Sequence, residues 1–394
     1  MYTVRKLLPR PVETSSIWPY RALDDARALT FRPTGAPIAA ATTSLPEAPG
    51  ESRQWDYRYV WIRDSAYAAE ALLAAGDITS ARRIMEFLLD AVSPTERVFP
   101  APFLRVDGTL PDGERDLLWL SGHAESRPAR AGNGAIHQLQ LDLAGSVLWV
   151  IYHLQNTQPD RQWLHQYWWA IEALAEWMRH TWSQPDASLW EYRTIRGQHT
   201  HSRVMNWVGL ECASLLSRSL GLNQKALTWQ RTAARIRETL MREAQESGVF
   251  LPRPGSRSTD AALLTLPLYN FVAANHPYFH ATLEAIESTL VADGFVYRYR
   301  EDDLGQARHP FILAGFWYAR VLLRQGRLAE ADRIIQRHIE LATPLGLFGE
   351  HVEPLTGAVR GNFPQLFSHA GLIMTLAERA RLSASQPLFT FPVS

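Results

Sequence analysis

Cysteine is almost missing from this sequence: Cys212 stands alone among 394 residues, which excludes an intrachain disulfide and a cysteine-cluster metal centre. Lysine is nearly as scarce, Lys6 and Lys225 being the only two, and the acidic and basic side chains cancel at 40 each. A chain without net charge lacks the long-range field that binders of nucleic acid or anionic membranes carry. No stretch offers the roughly 20 uninterrupted apolar residues of a membrane span. The first residues, Met1 to Arg21, set Leu7 and Leu8 among Arg5, Lys6 and Arg10 without the apolar run of a signal peptide. Neither a Gly-rich phosphate loop nor a Gly-x-Ser-x-Gly elbow occurs, which argues against nucleotide and serine-hydrolase chemistry. These absences predict a cytoplasmic protein with a neutral partner, neither nucleic acid nor membrane.

What the chain does have is apolar substance, 46% of residues against 20% charged, enough for a large core. From Asp64 onward apolar residues recur at helical spacing, in blocks separated by short turns containing Gly, Pro and Asp. The pattern predicts helices near Ser65 to Ala75, Ile78 to Val92, Leu139 to Gln155, Arg161 to Trp182, Ser202 to Leu220, Gln224 to Gln245 and Asp260 to Ala274. It predicts others near Phe279 to Leu290, Phe311 to Gln325, Leu328 to Leu341 and Gln365 to Leu382, and an apolar segment at Gly35 to Thr42 brings the number to about twelve. Turns such as Ala75-Gly76-Asp77 and Gln325-Gly326-Arg327 join them as hairpins. Evenly spaced pairs with no strand-rich interval suit an all-α protein closed into a barrel of helical hairpins. The same hairpins would build an open α-solenoid, and periodicity does not separate the two.

Four long non-helical stretches interrupt the helices, around Ser44 to Asp64, Val98 to Ala135, Ser183 to His201 and Thr343 to Gly361. Loops of that length usually carry function, and in a hairpin barrel they would gather at one end around a pocket. The first, Trp55 to Asp64, crowds aromatic, cationic and anionic side chains as a neutral sugar site does, with rings to stack on and charged partners for hydroxyl groups; alternatively Asp64 merely caps a helix beginning at Ser65. In the third, Glu191 lies between Trp190 and Tyr192, an apolar setting that would raise a carboxyl pKa as a general acid requires, unless it is a surface residue paired with Arg193. The fourth holds a second carboxylate, Glu350, in Gly349-Glu350-His351, which alone could equally be a solvated loop residue. His199 and His201 flank Thr200 but have no third ligand at a supporting spacing, so neither a metal nor an organic cofactor is expected.

In their order and wording these segments resemble the glucoamylase-like glycoside hydrolases, family fifteen. The resemblance runs from about Ala28 to Ala380 through Pro33-Thr34-Gly35-Ala36, Thr43-Ser44-Leu45-Pro46-Glu47, Trp55 to Asp64, Arg127-Pro128-Ala129-Arg130, Gln140-Leu141-Asp142, Trp190-Glu191, Tyr297-Arg298-Tyr299 and Gly361-Asn362-Phe363-Pro364-Gln365. It implies an (α/α)6 barrel over 28–385, with an N-terminal extension over 1–27, a tail over 386–394, and none of the β-sandwich that precedes the barrel in many bacterial relatives. It also implies hydrolysis with inversion at the non-reducing end of an α-glucoside, a malto- or isomalto-oligosaccharide, with trehalose the alternative and a non-catalytic sugar-sensing barrel the reading of another class. By the same resemblance Glu191 matches the general acid and Glu350 the general base. Arg63 and Asp64 match the pair on the terminal glucose hydroxyls, Tyr57, Trp61 and Trp190 the pocket aromatics, and Arg298 a further sugar-binding arginine. Two positions depart from the family: His351 where Glu or Gln is usual, and Arg203 after Ser202 where Lys is frequent. Both bear on substrate preference, since guanidinium and ammonium groups are not interchangeable.

Overall fold

The computed structural model describes residues 18–93 and 97–383; the first seventeen residues and the tail over 386–394 lie outside them. Among the described residues there are thirteen helices: α1 (Trp18–Ala28), α2 (Ile62–Ala74), α3 (Ile78–Asp90), α4 (Leu143–Thr157), α5 (Arg161–Gln166), α6 (Trp168–Thr181), α7 (Thr200–Ser219), α8 (Asn223–Ser247), α9 (Thr265–Leu268), α10 (Pro277–Leu290), α11 (Ile312–Arg324), α12 (Leu328–Ile339) and α13 (Leu366–Ser383). Packing closes a ring: α2 lies on α4, α4 on α7, α7 on α9, α9 on α11, α11 on α13, and α13 returns to α2. Around it α3, α6, α8, α12 and α1 back α2, α4, α7, α11 and α13, while α10 backs the turn Ala261–Leu264 that leads into α9. The fold is an (α/α)6 barrel, and the solenoid alternative falls because the ring is closed.

Burial patterns show why each helix takes its layer. In α11 every residue from Ile312 to Leu323 is buried, whereas α12 buries only Ala331, Ile335, His338 and Ile339, a single stripe at helical spacing. A helix apolar all round is stable only with neighbours on every side; an amphipathic one belongs outside. Where inner helices cross, small residues set the approach: a Cβ at Gly145 in α4 would lie 1.9 Å from the Met205 carbonyl of α7, and one at Gly209 in α7 would lie 2.7 Å from the Gly145 Cα. The expected hairpin turns are present, Gly76 and Gly326 sitting at φ +84° and +76°, where a side chain would be strained.

Several segments differ from expectation. Gly35 to Thr42 is not helical; Ala36–Pro37 pairs with Thr30–Phe31 as a two-residue ladder, and Pro33 and Pro37 supply no N–H for helical bonding. Trp18–Ala28, left in the N-terminal extension, is the outer partner of α13. Arg161 to Trp182 divides at Tyr167 (φ −99°, ψ 6°), whose ring meets that of Trp163 at 5.0 Å. Asp260 to Ala274 yields only a short 3-10 turn and the four-residue α9, which ends where Asn270 turns to φ 59°. Helix α4 begins at Leu143 instead of Leu139, leaving Gln138, Gln140 and Asp142 on a turn at the barrel mouth.

The four long loops are ordered by short ladders and bridges. Val60–Trp61 pairs with Phe103–Leu104, Arg115–Leu117 with Ala129–Ala131, and His351–Val352 with Val359–Arg360, while Asp186 bridges to Gly197. Cross-loop bonds draw them to one end: the Gly361 amide donates to the Pro46 carbonyl at 2.9 Å and the Gly132 amide to Asp56 Oδ2 at 3.1 Å. A fifth segment, 291–310, joins them through Arg298. No helix among the described residues is long and apolar enough to cross a membrane.

Candidate active site

Glu191 sits on a strained turn. Its φ is +58°, an uncommon left-handed conformation for a non-glycine residue, and the turn is closed by the Glu191 amide on the Ser188 carbonyl at 3.2 Å and the Tyr192 amide on the Ala187 carbonyl at 3.0 Å. Three donors converge on its Oε1: Trp61 Nε1 at 2.7 Å, Gln140 Nε2 at 3.1 Å and an Arg63 guanidinium nitrogen at 3.3 Å. Oε2 has no donor among the described residues. The apolar surroundings expected for this carboxyl are therefore not found; it lies at a partly exposed, donor-rich position, because the flanking rings of Trp190 and Tyr192 turn away. Trp190 donates instead to Asp260 Oδ1 at 2.7 Å and packs against Phe311 and Trp317.

The desolvated setting belongs to Glu350. It is 3% exposed, and its backbone carbonyl accepts from the Ile312 amide at the start of α11, 3.0 Å away. Tyr57 donates its hydroxyl to Glu350 Oε1 at 2.8 Å. Burial, reinforced by the charge of Glu47, pushes the Glu350 carboxyl up to about 8. The buried Tyr57 hydroxyl is itself pushed well above its ordinary value, so it remains a donor. Two aromatic residues four apart in one loop thus each direct a polar group at one of the two glutamates.

Trp61 is 3% exposed, stacked on Phe103 at 4.4 Å, so its indole orients Glu191 and offers little face to a ligand. Arg63 donates to Asp142 at 2.8 Å and Gln140 at 3.0 Å as well as to Glu191. Asp64 is not a helix cap: α2 starts at Ile62 with Trp61 at the cap position, which puts Asp64 inside the first turn. Burial, with the charge of Glu191 adding to it and Arg63 opposing it, pushes the Asp64 carboxyl up to about 8. Arg298 is buried, bonded to Glu47 Oε2 at 2.8 Å and packed within 6.0 Å of the Trp190, Tyr299 and Phe311 rings.

His199 and His201 do not converge on a carboxylate. His201 Nδ1 meets Thr265 Oγ1 at 2.9 Å, the His199 ring lies against Tyr192 at 5.7 Å, and burial pushes both imidazoles down to about 4. Among the described residues the ligand-type atoms of Glu47, Glu350 and His351 do lie within 4.8 Å of one another, but the Arg298 guanidinium already occupies Glu47 Oε2, and a cation beside it would be repelled. Arg203 clamps α7 to α8 through two bonds of 2.7 Å to Glu243.

Sequence reasoning missed Gln138, Gln140, Asp142 and Glu47 as parts of this site, although Gln140, Asp142 and Glu47 fall inside the family-like strings; a polar string at a helix start, where the periodic pattern has not begun, was the available signal. Below Arg63 the barrel axis is nearly filled, with a cavity of about 20 Å³ lined by Arg63, Tyr67, Glu70, His201 and Trp317, room for a water or so and not for a sugar.

The chain is similar to Trehalase 2 of Sulfolobus acidocaldarius, 40% identical over 91% of this chain and 63% of that protein. It is 36% identical to a trehalase of Thermoplasma acidophilum over 88% of this chain and 60% of that one, so it spans a little under two thirds of the length of these curated relatives. Its fold is similar to that of a bacterial glucoamylase complexed with acarbose, at a TM-score of 0.73 and 18% identity, covering 92% of this chain and 55% of that one. The family model described as glycosyl hydrolases family 15 matches residues 20–330. With that span and a closed (α/α)6 barrel, the chain belongs to glycosyl hydrolase family 15.

Proposed function

We propose that the protein is an inverting, exo-acting α-glucosidase whose substrate is α,α-trehalose. The observation that carries the reading is that two glutamates are each held by a donor from the same loop: Trp61 on Glu191 at 2.7 Å and Tyr57 on Glu350 at 2.8 Å. A terminal glucose enters with Arg63, Asp64 and Arg298 on its hydroxyls and Trp190 on the wall. Glu191, its Oε1 occupied by three donors, protonates the glycosidic oxygen from Oε2 as the C1–O bond breaks, and the bonding pair leaves with that oxygen. Glu350 takes a proton from the water whose oxygen attacks C1 from the opposite face. The proton lost by one carboxyl is gained by the other and returns through solvent; no metal or organic cofactor enters the accounting.

The choice of trehalose over the malto- or isomalto-oligosaccharide first expected rests on the relatives named above, which are trehalases. The presence of both Glu191 and Glu350, each with a hydrogen-bond donor directed at it, supports a catalytic reading over a non-catalytic sugar sensor. Proton NMR on early turnover of trehalose tests linkage and mechanism together. Inversion at the attacked carbon with retention in the leaving half yields equal β- and α-glucose. Two equivalents of α-glucose would refute inversion, and turnover of maltose or isomaltose without trehalose would refute the substrate.

A further inference from the structure

Glu47 is buried at the centre of the site and has no part in the two-carboxyl scheme. Its Oε2 accepts from Arg298 at 2.8 Å and its Oε1 from Trp55 Nε1 at 3.4 Å. His351 stands between Glu47 and the base, its Nε2 at 3.7 Å from Glu47 Oε2 and 3.8 Å from Glu350 Oε2. Because His351 Nδ1 donates to the Pro310 carbonyl at 3.1 Å, Nε2 presents only a lone pair, and that buried atom has no hydrogen-bond partner. Burial pushes this imidazole down to about 3, so it supplies no positive charge. The groups facing Glu350 are then Tyr57, Glu47, Arg298, Asp64 and His351, and Arg298 is the one cation among them.

Resting on the reading of Glu350 as base, we propose that Glu47 is a positioning residue that claims the Arg298 guanidinium and so prevents Arg298 from pairing with and neutralising Glu350. The surrounding charges fit that role. Burial opposes ionisation of Glu47, yet Arg298, then His351 and Arg53, hold it down to about 2; Arg53 itself is paired with Asp302. The negative charge of Glu47 raises the Glu350 carboxyl, and the His351 ring, pushed down to about 3 and so charged only in acid, lies beside both carboxyls. A glycine makes room for the base: a Cβ at Gly361 would lie 2.8 Å from Glu350 Oε2.

The test is the pH profile of kcat/KM on trehalose for Glu47→Gln, Glu47→Asp and Arg298→Gln, with Glu350→Gln as the reference for loss of the base. In Glu47→Gln the charge is gone and Arg298 turns to Glu350, so the acidic limb is expected to move down by about one pH unit or more, with the plateau lowered roughly tenfold or more as the base weakens. Glu47→Asp keeps the charge but shortens the reach to Arg298; its acidic limb is expected to stay within about 0.3 unit of wild type while KM rises. Arg298→Gln is expected to move the limb upward, which keeps the idea testable should Glu47→Gln fail to fold. The carboxylic-acid C=O infrared band of Glu350, identified by its loss in Glu350→Gln, reports the same titration without turnover. An unmoved limb and infrared titration in folded Glu47→Gln, or a downward shift in Arg298→Gln, overturns the role of Glu47 and leaves the two-carboxyl reading intact. Wild-type turnover by Glu350→Gln overturns that reading instead.

Discussion

Replacing Asp64 by Asn separates a sugar-holding carboxylate from a structural one. Asp64 lies within the first turn of α2, and the cap position is Trp61, so no capping bond is lost. Its carboxyl is 6% exposed and held up at about 8 by burial. An acid whose folded pKa exceeds its unfolded value favours folding while protonated and loses that advantage as the pH rises through the folded value. Asn escapes the loss, so the stability of Asp64→Asn relative to wild type is expected to grow between about pH 4 and pH 8 and then level off. Activity should move the other way. A carboxylate on two sugar hydroxyls loses charge-assisted bonds worth on the order of 2 to 4 kcal/mol in the transition state, which is roughly 30- to 1000-fold in kcat/KM at about 1.4 kcal/mol per tenfold. Initial rates on trehalose beside thermal unfolding at pH 5 and pH 8 check both limbs. A folded Asp64→Asn protein with near wild-type kcat/KM would refute the assignment of Asp64 to the sugar.

Tyr57→Phe removes the 2.8 Å bond to Glu350 Oε1; a hydrogen bond to a charged group is worth about 1.5 to 3 kcal/mol, so kcat is expected to fall about 10- to 150-fold with the fold unchanged by circular dichroism, and an unchanged kcat would show that Tyr57 does not orient the base. Gly361→Ala places a methyl 2.8 Å from Glu350 Oε2 at a φ of +70°; kcat should fall more than KM changes, and wild-type kcat would mean Glu350 has room to shift. Exhaustive chelation is expected to leave activity intact, whereas loss restored by one particular metal would reopen the cluster of Glu47, Glu350 and His351.

These variants bear on where the proton resides. Burial favours protonated Glu350 and Asp64 near neutral pH, while the proposed mechanism needs an ionised Glu350. On that proposal the Glu350 proton is displaced on sugar binding, as in coupled sites.

The sequence by itself determined the hairpins, most helix boundaries to within a few residues and the family, because apolar periodicity, glycine and proline punctuation and short strings of chemistry are local properties of the chain. It failed for 35–42, where apolar content outweighed the warning of proline, for α1, for the break at Tyr167, and for the apolar run of 260–274, which coils as a 3-10 turn and the single turn of α9. Closure of the ring, the partner of α1 and the use of each polar group were decided only by tertiary structure. Trp61 reaches Glu191 across 130 residues and Tyr57 reaches Glu350 across 293, and no spacing rule spans such separations. Desolvation was decided there too: the ring-flanked Glu191 proved donor-rich, while Glu350, between a glycine and a histidine in the chain, is buried against Tyr57 and the segment of Arg298.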